Sequence, residues 1–172
     1  MAKRFLTKLE QGFIWFFDLG RIVILVAILV VIAYYTLGQI FVVKGVSMDP
    51  NFQEGQWLLI SKISHYFRSP QRGEVVVFHF PGTQQDKYIK RIIGLPGEKI
   101  TVKDKKILID DQPLYEGYLS QEEETEGQVD IQLEEGEYFV LGDNRDQSND
   151  SRVWGPLSED RIIGQAAYLL FP

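Results

Sequence analysis

Glu74-Val75-Val76-Val77-Phe78-His79-Phe80 and Lys87-Tyr88-Ile89-Lys90-Arg91-Ile92-Ile93, joined by Pro81-Gly82-Thr83-Gln84-Gln85-Asp86, decide the fold. Both flanking runs are rich in β-branched and aromatic side chains, and the joining segment has turn chemistry, so the three read as a β-hairpin. With a period of two, Lys90 shares a strand face with Tyr88 and Ile92, while Arg91 points the other way. Gly94-Leu95-Pro96-Gly97 breaks the second strand.

Outward from this hairpin the same pattern repeats. Upstream, Gln56 to Lys62 reads as a strand, followed by the turn Ser69-Pro70-Gln71-Arg72-Gly73. Downstream, Lys99 to Val102 and Ile107 to Asp110 form a second hairpin, and Gln128 to Leu133, Glu137 to Leu141 and Gln165 to Phe171 are further strands. Ser158 to Arg161 reads as one helical turn, and Glu122 to Glu126 as a solvated acidic loop without assigned function. Short strands with almost no helix between them indicate a mainly β, antiparallel sheet or barrel domain.

Ahead of this domain, Ile22 to Val43 carries no charged residue. A helix of that length spans the roughly 30 Å hydrocarbon core of a bilayer. A cleaved signal peptide would have a shorter apolar run and a small-x-small site after it. Phe41-Val42-Val43-Lys44 offers bulky residues instead, so the expectation is an uncleaved anchor. Lys3, Arg4, Lys8 and Arg21 precede it, which places the N-terminus in the cytoplasm. The expected organisation is a cytoplasmic segment 1–21, a transmembrane helix 22–43 and an extracytoplasmic all-β domain 44–172. Phe13, Trp15, Phe16 and Phe17, with Tyr34 and Tyr35, read as interfacial aromatic anchors.

Charge and composition narrow the functions. The whole chain carries −6, and the first 43 residues hold two acidic side chains against their four basic ones, so the remainder is acidic. That gives no electrostatic footprint for nucleic acid. The absence of cysteine excludes disulfides, thiol catalysis and thiolate metal sites. His65 and His79 are the only histidines and lack metal-ligand spacing, so no metal site is expected. They also select no serine or carboxylate for a Ser-His-Asp triad.

What the chain offers is serine with lysine. Lysine acts as a general base only when neutral, and desolvation is the usual way to lower its pKa. Lys90, amid Tyr88, Ile89, Ile92 and Ile93, is the lysine best placed to be buried. The plain alternative is an edge-strand lysine that blocks aggregation. Ser47 lies four residues past the apolar run, within roughly 14 Å of its end even when the chain is fully extended. Ser47-Met48-Asp49-Pro50 is also ordinary turn and cap chemistry. Gly142 to Arg152 is a polar loop unusually dense in Asp, Ser and Arg for a plain connection.

Three stretches together resemble the sequence boxes of the bacterial type I signal peptidases: Gly45 to Pro50, Lys90 to Glu98, and Gly142 to Arg152. They occur in the family's order, and the resemblance extends from Lys44 to Phe171. The single anchor and small domain resemble the short, one-span members. The resemblance implies Ser47 as nucleophile, Lys90 as general base and Ser148 as the residue that orients the lysine. It further implies Asp143 paired with Arg91 and Asp150 with Arg152 as structural support, and the Ser47 backbone N–H as part of the oxyanion hole. Val43, Met48, Tyr88 and Ile89 are expected to line the substrate pockets. No cofactor is implied. The implied partners are signal peptides of exported preproteins, with small residues at −1 and −3, and the lipid bilayer; a monomer and no nucleic acid are expected.

Three positions depart from the family's commoner pattern. Asn51 stands where many members have threonine, Gly45 cannot supply a hydroxyl as second oxyanion donor, and Glu98 replaces an aspartate, a change expected to be silent. Two other functions fit the sequence less well. One is a catalytically idle anchored β-domain serving as a binding scaffold; the other is a Ser/Lys peptidase that cleaves itself.

Overall fold

A computed structural model of the chain describes residues 2–62, 67–83, 85–119 and 124–171. His65 and the acidic residues Glu122 and Glu123 lie outside the described residues. The chain forms two units, Met1–Gly38 and Gln39–Pro172.

The first unit is helix α1, Ala2–Leu37. Its segment Trp15–Ile32 is long and apolar enough to cross a membrane, and its side chains are exposed, Trp15, Phe16 and Phe17 among them. The apolar run that reads as a helix from 22 to 43 is divided in the structure. It is helical to Leu37, and Gly38–Val42 is a strand, β1. Glycine disfavours a helix interior, and the β-branched Ile40 and Val42 suit a sheet.

The second unit is built on two antiparallel sheets, as the strand pattern predicts. The larger has seven strands in the order β1-β2-β11-β3-β4-β9-β10. Here β2 is Trp57–Ser61, β3 Val75–His79, β4 Lys87–Gly94, β9 Glu137–Leu141, β10 Leu157–Ser158 and β11 Ile162–Phe171. The smaller has four strands in the order β7-β6-β5-β8. Its strands are β5 Lys99–Lys103, β6 Lys106–Ile109, β7 Gln112–Pro113 and β8 Val129–Gln132. The pairs β2–β11, β11–β3, β3–β4, β4–β9 and β9–β10 of the larger sheet, and β7–β6, β6–β5 and β5–β8 of the smaller, are all antiparallel.

Three apolar clusters fill the unit. Val43, Met48, Leu58, Ile60, Val75, Val77 and Ile89 form one. On the alternate residues of β3 and β4, Val76, Phe78 and Ile92 join Tyr138, Val140, Leu157 and Ile162 in a second. The third packs Ile93, Phe139 and Leu141 against the small sheet through Ile100, Val102, Ile107 and Ile109. Gly94 marks the close approach of the two sheets, because a Cβ there would lie 2.5 Å from Ile100 Cδ1. Buried at a few tens of cal/mol per Å², these side chains hold β4 at the middle of the domain.

Candidate active site

Strand β4 is an interior strand, paired with β3 on one side and β9 on the other. Val76 opposes Lys90 and Val75 opposes Arg91. Lys90 is therefore no edge-strand gatekeeper; it is 3% exposed. Its Nζ donates to Ser47 Oγ at 2.7 Å and to the Ile89 carbonyl at 3.0 Å, and lies 5.7 Å from the centroid of the Tyr88 ring. Burial lowers its pKa from 10.5 to about 8, while the Asp150 and Asp143 carboxylates pull the other way. The amine is thus dry and close to a hydroxyl, with enough negative field nearby to keep its pKa from falling further.

Ser47 reaches this position on a loop folded between β1 and β2. Gly45 stands at φ +80°, a conformation that favours glycine, and its N–H donates to Glu54 Oε1 at 3.1 Å. Met48 beside the serine is buried and anchors the loop in the apolar cluster with Val43. The Phe52 N–H closes the turn on the Met48 carbonyl at 2.8 Å. Across the site, the Asn144 N–H donates to the Ser47 carbonyl at 3.1 Å.

The Gly142 to Arg152 stretch wraps the same place. It contains a 3-10 turn, Arg145–Gln147, capped by the Asn144 side chain, and a short helix α2, Ser151–Trp154, capped by Asp150. Asp143 takes two bonds from Arg91, from Nε at 2.8 Å and Nη2 at 2.5 Å. Asp150 takes two from the Arg152 guanidinium, at 2.8 and 2.9 Å, one from the Arg152 backbone N–H at 3.3 Å, and one from the Gly142 N–H at 3.1 Å. Both carboxylates are fully buried, and each is matched by its own guanidinium, the arrangement that makes a buried charge tolerable. Gly142 has no room for a side chain: a Cβ there would overlap Ser148 Oγ and the Ser47 carbonyl oxygen.

Ser148 lies within this crowded corner. Its Oγ is buried and has no hydrogen-bond partner among the described residues, and the orienting bond to Lys90 expected from the sequence is not formed. The Ile89 carbonyl holds the amine in its place. Of the four expected pocket residues, Val43, Met48 and Ile89 share one apolar cluster, whereas Tyr88 belongs to the other and stacks on Phe80 at 4.7 Å.

The contacts of several supporting residues escape the sequence. Arg145, 2% exposed, donates to both Glu116 oxygens at 2.9 and 2.5 Å, to Thr125 Oγ1 at 2.5 Å and to the Gly142 carbonyl at 3.0 Å. It thereby ties the connection between β7 and β8 to the 142–152 loop. Tyr118 places its ring 4.2 Å from the Arg91 guanidinium and donates its hydroxyl to Glu116. Asn51 donates to Asp143 Oδ2 at 2.9 Å and to the Tyr118 carbonyl at 3.1 Å. Glu98 accepts from the Leu95 N–H at 2.7 Å and pairs with Arg72, bracing the turn that ends β4. Composition gives the donors and acceptors for these ties, but no spacing signal announces which loops meet.

Residues 16–171 match the family described as signal peptidase, peptidase S26. The probable signal peptidase I-1 of Synechocystis sp. is 38% identical over 133 residues, covering 73% of this chain and 67% of that relative. Signal peptidase I V of Bacillus subtilis is 38% identical over 151 residues, covering 78% of this chain and 89% of the relative. The crystal structure of a signal peptidase I from Enterococcus faecalis V583 aligns with a TM-score of 0.51 at 31% identity, covering 58% of this chain and 98% of that one.

Proposed function

The chain belongs to the peptidase S26 family of signal peptidases, and on that premise we propose that it is a membrane-anchored endopeptidase that removes signal peptides with a Ser47–Lys90 pair. One observation carries the reading: a buried amine with its pKa lowered to about 8 lies 2.7 Å from a serine hydroxyl.

The chemistry follows from that contact. Protonated, Lys90 donates to Ser47 Oγ and is inert as a base. Neutral, it keeps one N–H on the Ile89 carbonyl and turns its lone pair to the hydroxyl. Ser47 Oγ then attacks the scissile carbonyl carbon while Nζ takes its proton, and the Ser47 backbone N–H stabilises the oxyanion. When the C–N bond breaks, Nζ returns a proton to the leaving amine and an ester on Ser47 remains. A water enters, gives its proton to Nζ and attacks the ester; the acid is released and the hydroxyl restored. Asp143 with Arg91, and Asp150 with Arg152, hold the loop and keep the field on Nζ balanced.

Substrate selection rests on the apolar cluster beside Ser47. An extended peptide beside a strand presents alternate side chains to one face, which makes −1 and −3 the tested positions. Val43, Met48 and Ile89 are buried together beside Ser47, and they are the apolar surface proposed to meet the −1 and −3 side chains. Tyr88 lies on the other side, packed with Phe80, and approaches the site only through its ring, 5.7 Å from Lys90 Nζ. Helix α1 anchors the chain as a single span with its N-terminus in the cytoplasm, following the basic residues ahead of the apolar run.

The test is incubation of the detergent-solubilised chain with a preprotein carrying Ala-x-Ala before the cut, beside Ser47→Ala. Sequencing should find one new N-terminus directly after the −1 alanine and no product with Ser47→Ala. Equal cleavage by the two proteins would remove Ser47 from the mechanism.

A further inference from the structure

Two loops approach one another at the proposed catalytic pair, and two polar ties join them. One is the Asn144 N–H on the Ser47 carbonyl at 3.1 Å. The other comes from a side chain. Asn51 lies four residues after the serine, and its Nδ2 donates to Asp143 Oδ2 at 2.9 Å and to the Tyr118 carbonyl at 3.1 Å. Both partners are acceptors, so chemistry requires the NH₂ end of the amide at this position. Asp143 Oδ2 also receives Arg91 Nη2, and the Arg91 guanidinium rests on the Tyr118 ring. One amide therefore touches the Asp143 carboxylate and the backbone of Tyr118, on whose ring the Arg91 guanidinium rests.

We infer that Asn51 is a positioning residue for the Ser47–Lys90 pair: its side chain fastens the loop bearing Ser47 to Asp143 and to the 116–118 segment, and so sets the separation of hydroxyl and amine. This rests on the proposed Ser/Lys reading of the same site. Without the Asn51 tie the loop still keeps its place through Met48 and Phe52 in the apolar cluster and the Asn144 N–H, but gains freedom to swing Ser47 Oγ away from Nζ. Reaction needs the two within hydrogen-bond reach, so that freedom appears in kcat. The charges that face Lys90 are the Asp150 and Asp143 carboxylates, each already paired, with Arg152 and Arg91 respectively. A further carboxylate at position 51 would sit against Asp143 and make the surroundings of the amine more negative.

The experiment compares the full-length chain in detergent with Asn51→Ala, Asn51→Asp and Ser47→Ala, using a synthetic peptide with an Ala-x-Ala cleavage site. Asn51 is at the surface, so neither substitution at 51 opens a buried hole. Asn51→Ala should lower kcat about tenfold while KM stays within about twofold. Asn51→Asp keeps the size of the side chain but turns its donor into an acceptor. It should lower kcat similarly and raise the apparent pKa of kcat/KM by about half a pH unit. A purely structural role would lower the fraction of folded enzyme and leave kcat per folded molecule unchanged. A kcat for Asn51→Ala within about twofold of wild type, or an Asn51→Asp profile that coincides with wild type, would overturn the inference. Failure of the underlying Ser/Lys reading looks different, because Ser47→Ala would then cleave as well as wild type.

Discussion

Replacing Lys90 by methionine should stabilise the protein, and by an amount that depends on pH in a defined way. Lys90 is 3% exposed, and its pKa is lowered from 10.5 to about 8 by burial. An unfolded chain binds the proton below 10.5, whereas the folded one binds it only below about 8. Between those values the unfolded state holds more protons, so wild-type stability rises with pH across that window and is lowest below it. At pH 7 the lysine costs the fold about 3 kcal/mol, and at pH 9.5 about 1 kcal/mol. Methionine fills the same volume and does not titrate. Its loss of the bonds to Ser47 and Ile89 is a constant offset of about 1–2 kcal/mol. The stability difference between Lys90→Met and wild type should therefore shrink by about 2 kcal/mol from pH 7 to pH 9.5. Urea unfolding of both proteins in detergent at the two pH values measures it. A difference that stays constant with pH would refute a desolvated amine at position 90.

Three further substitutions probe the surroundings. Asp143→Asn leaves the buried Arg91 guanidinium without its carboxylate and should cost about 3–5 kcal/mol in urea unfolding. Gly142→Ala drives a methyl group into Ser148 Oγ and the Ser47 carbonyl, and should lower kcat for an Ala-x-Ala peptide by about tenfold or more. Lys90→Arg keeps the charge but cannot give up its proton, so single-turnover cleavage should be undetectable at any pH below 11 or so.

The sequence disclosed the frame of the domain and the proposed Ser47–Lys90 pair for separate reasons. Val75 to Phe78 is wholly β-branched and aromatic, Tyr88 to Ile93 is so except at Lys90 and Arg91, and a period of two places Ile92 and Lys90 together. Strand β1 was not separable from the anchor, since Gln39 to Val42 is as apolar as the helix before it and periodicity cannot divide a continuous apolar run. β7 and β10 are two residues each, too short to carry a pattern. Asp143 with Arg91 was readable through the family resemblance, but Arg145 with Glu116 and Asn51 with Tyr118 join residues 29 and 67 apart in the chain. Such ties depend on which loops the two sheets bring together, and that is settled by packing such as Ile100 against Gly94. Ser148 illustrates the converse: its place in the motif implies a bond to Lys90, yet Nζ bonds the Ile89 carbonyl and Ser47 while Ser148 Oγ bonds nothing among the described residues.

The most direct measurement is the pH dependence of kcat/KM for an Ala-x-Ala peptide, taken from pH 6 to pH 10 with the full-length chain. A neutral Lys90 as base gives a rise through an apparent pKa near 8, with roughly a tenth of the enzyme active at pH 7. A profile already flat below pH 7, or one still climbing tenfold per pH unit at pH 10, would contradict a buried amine poised to deprotonate Ser47.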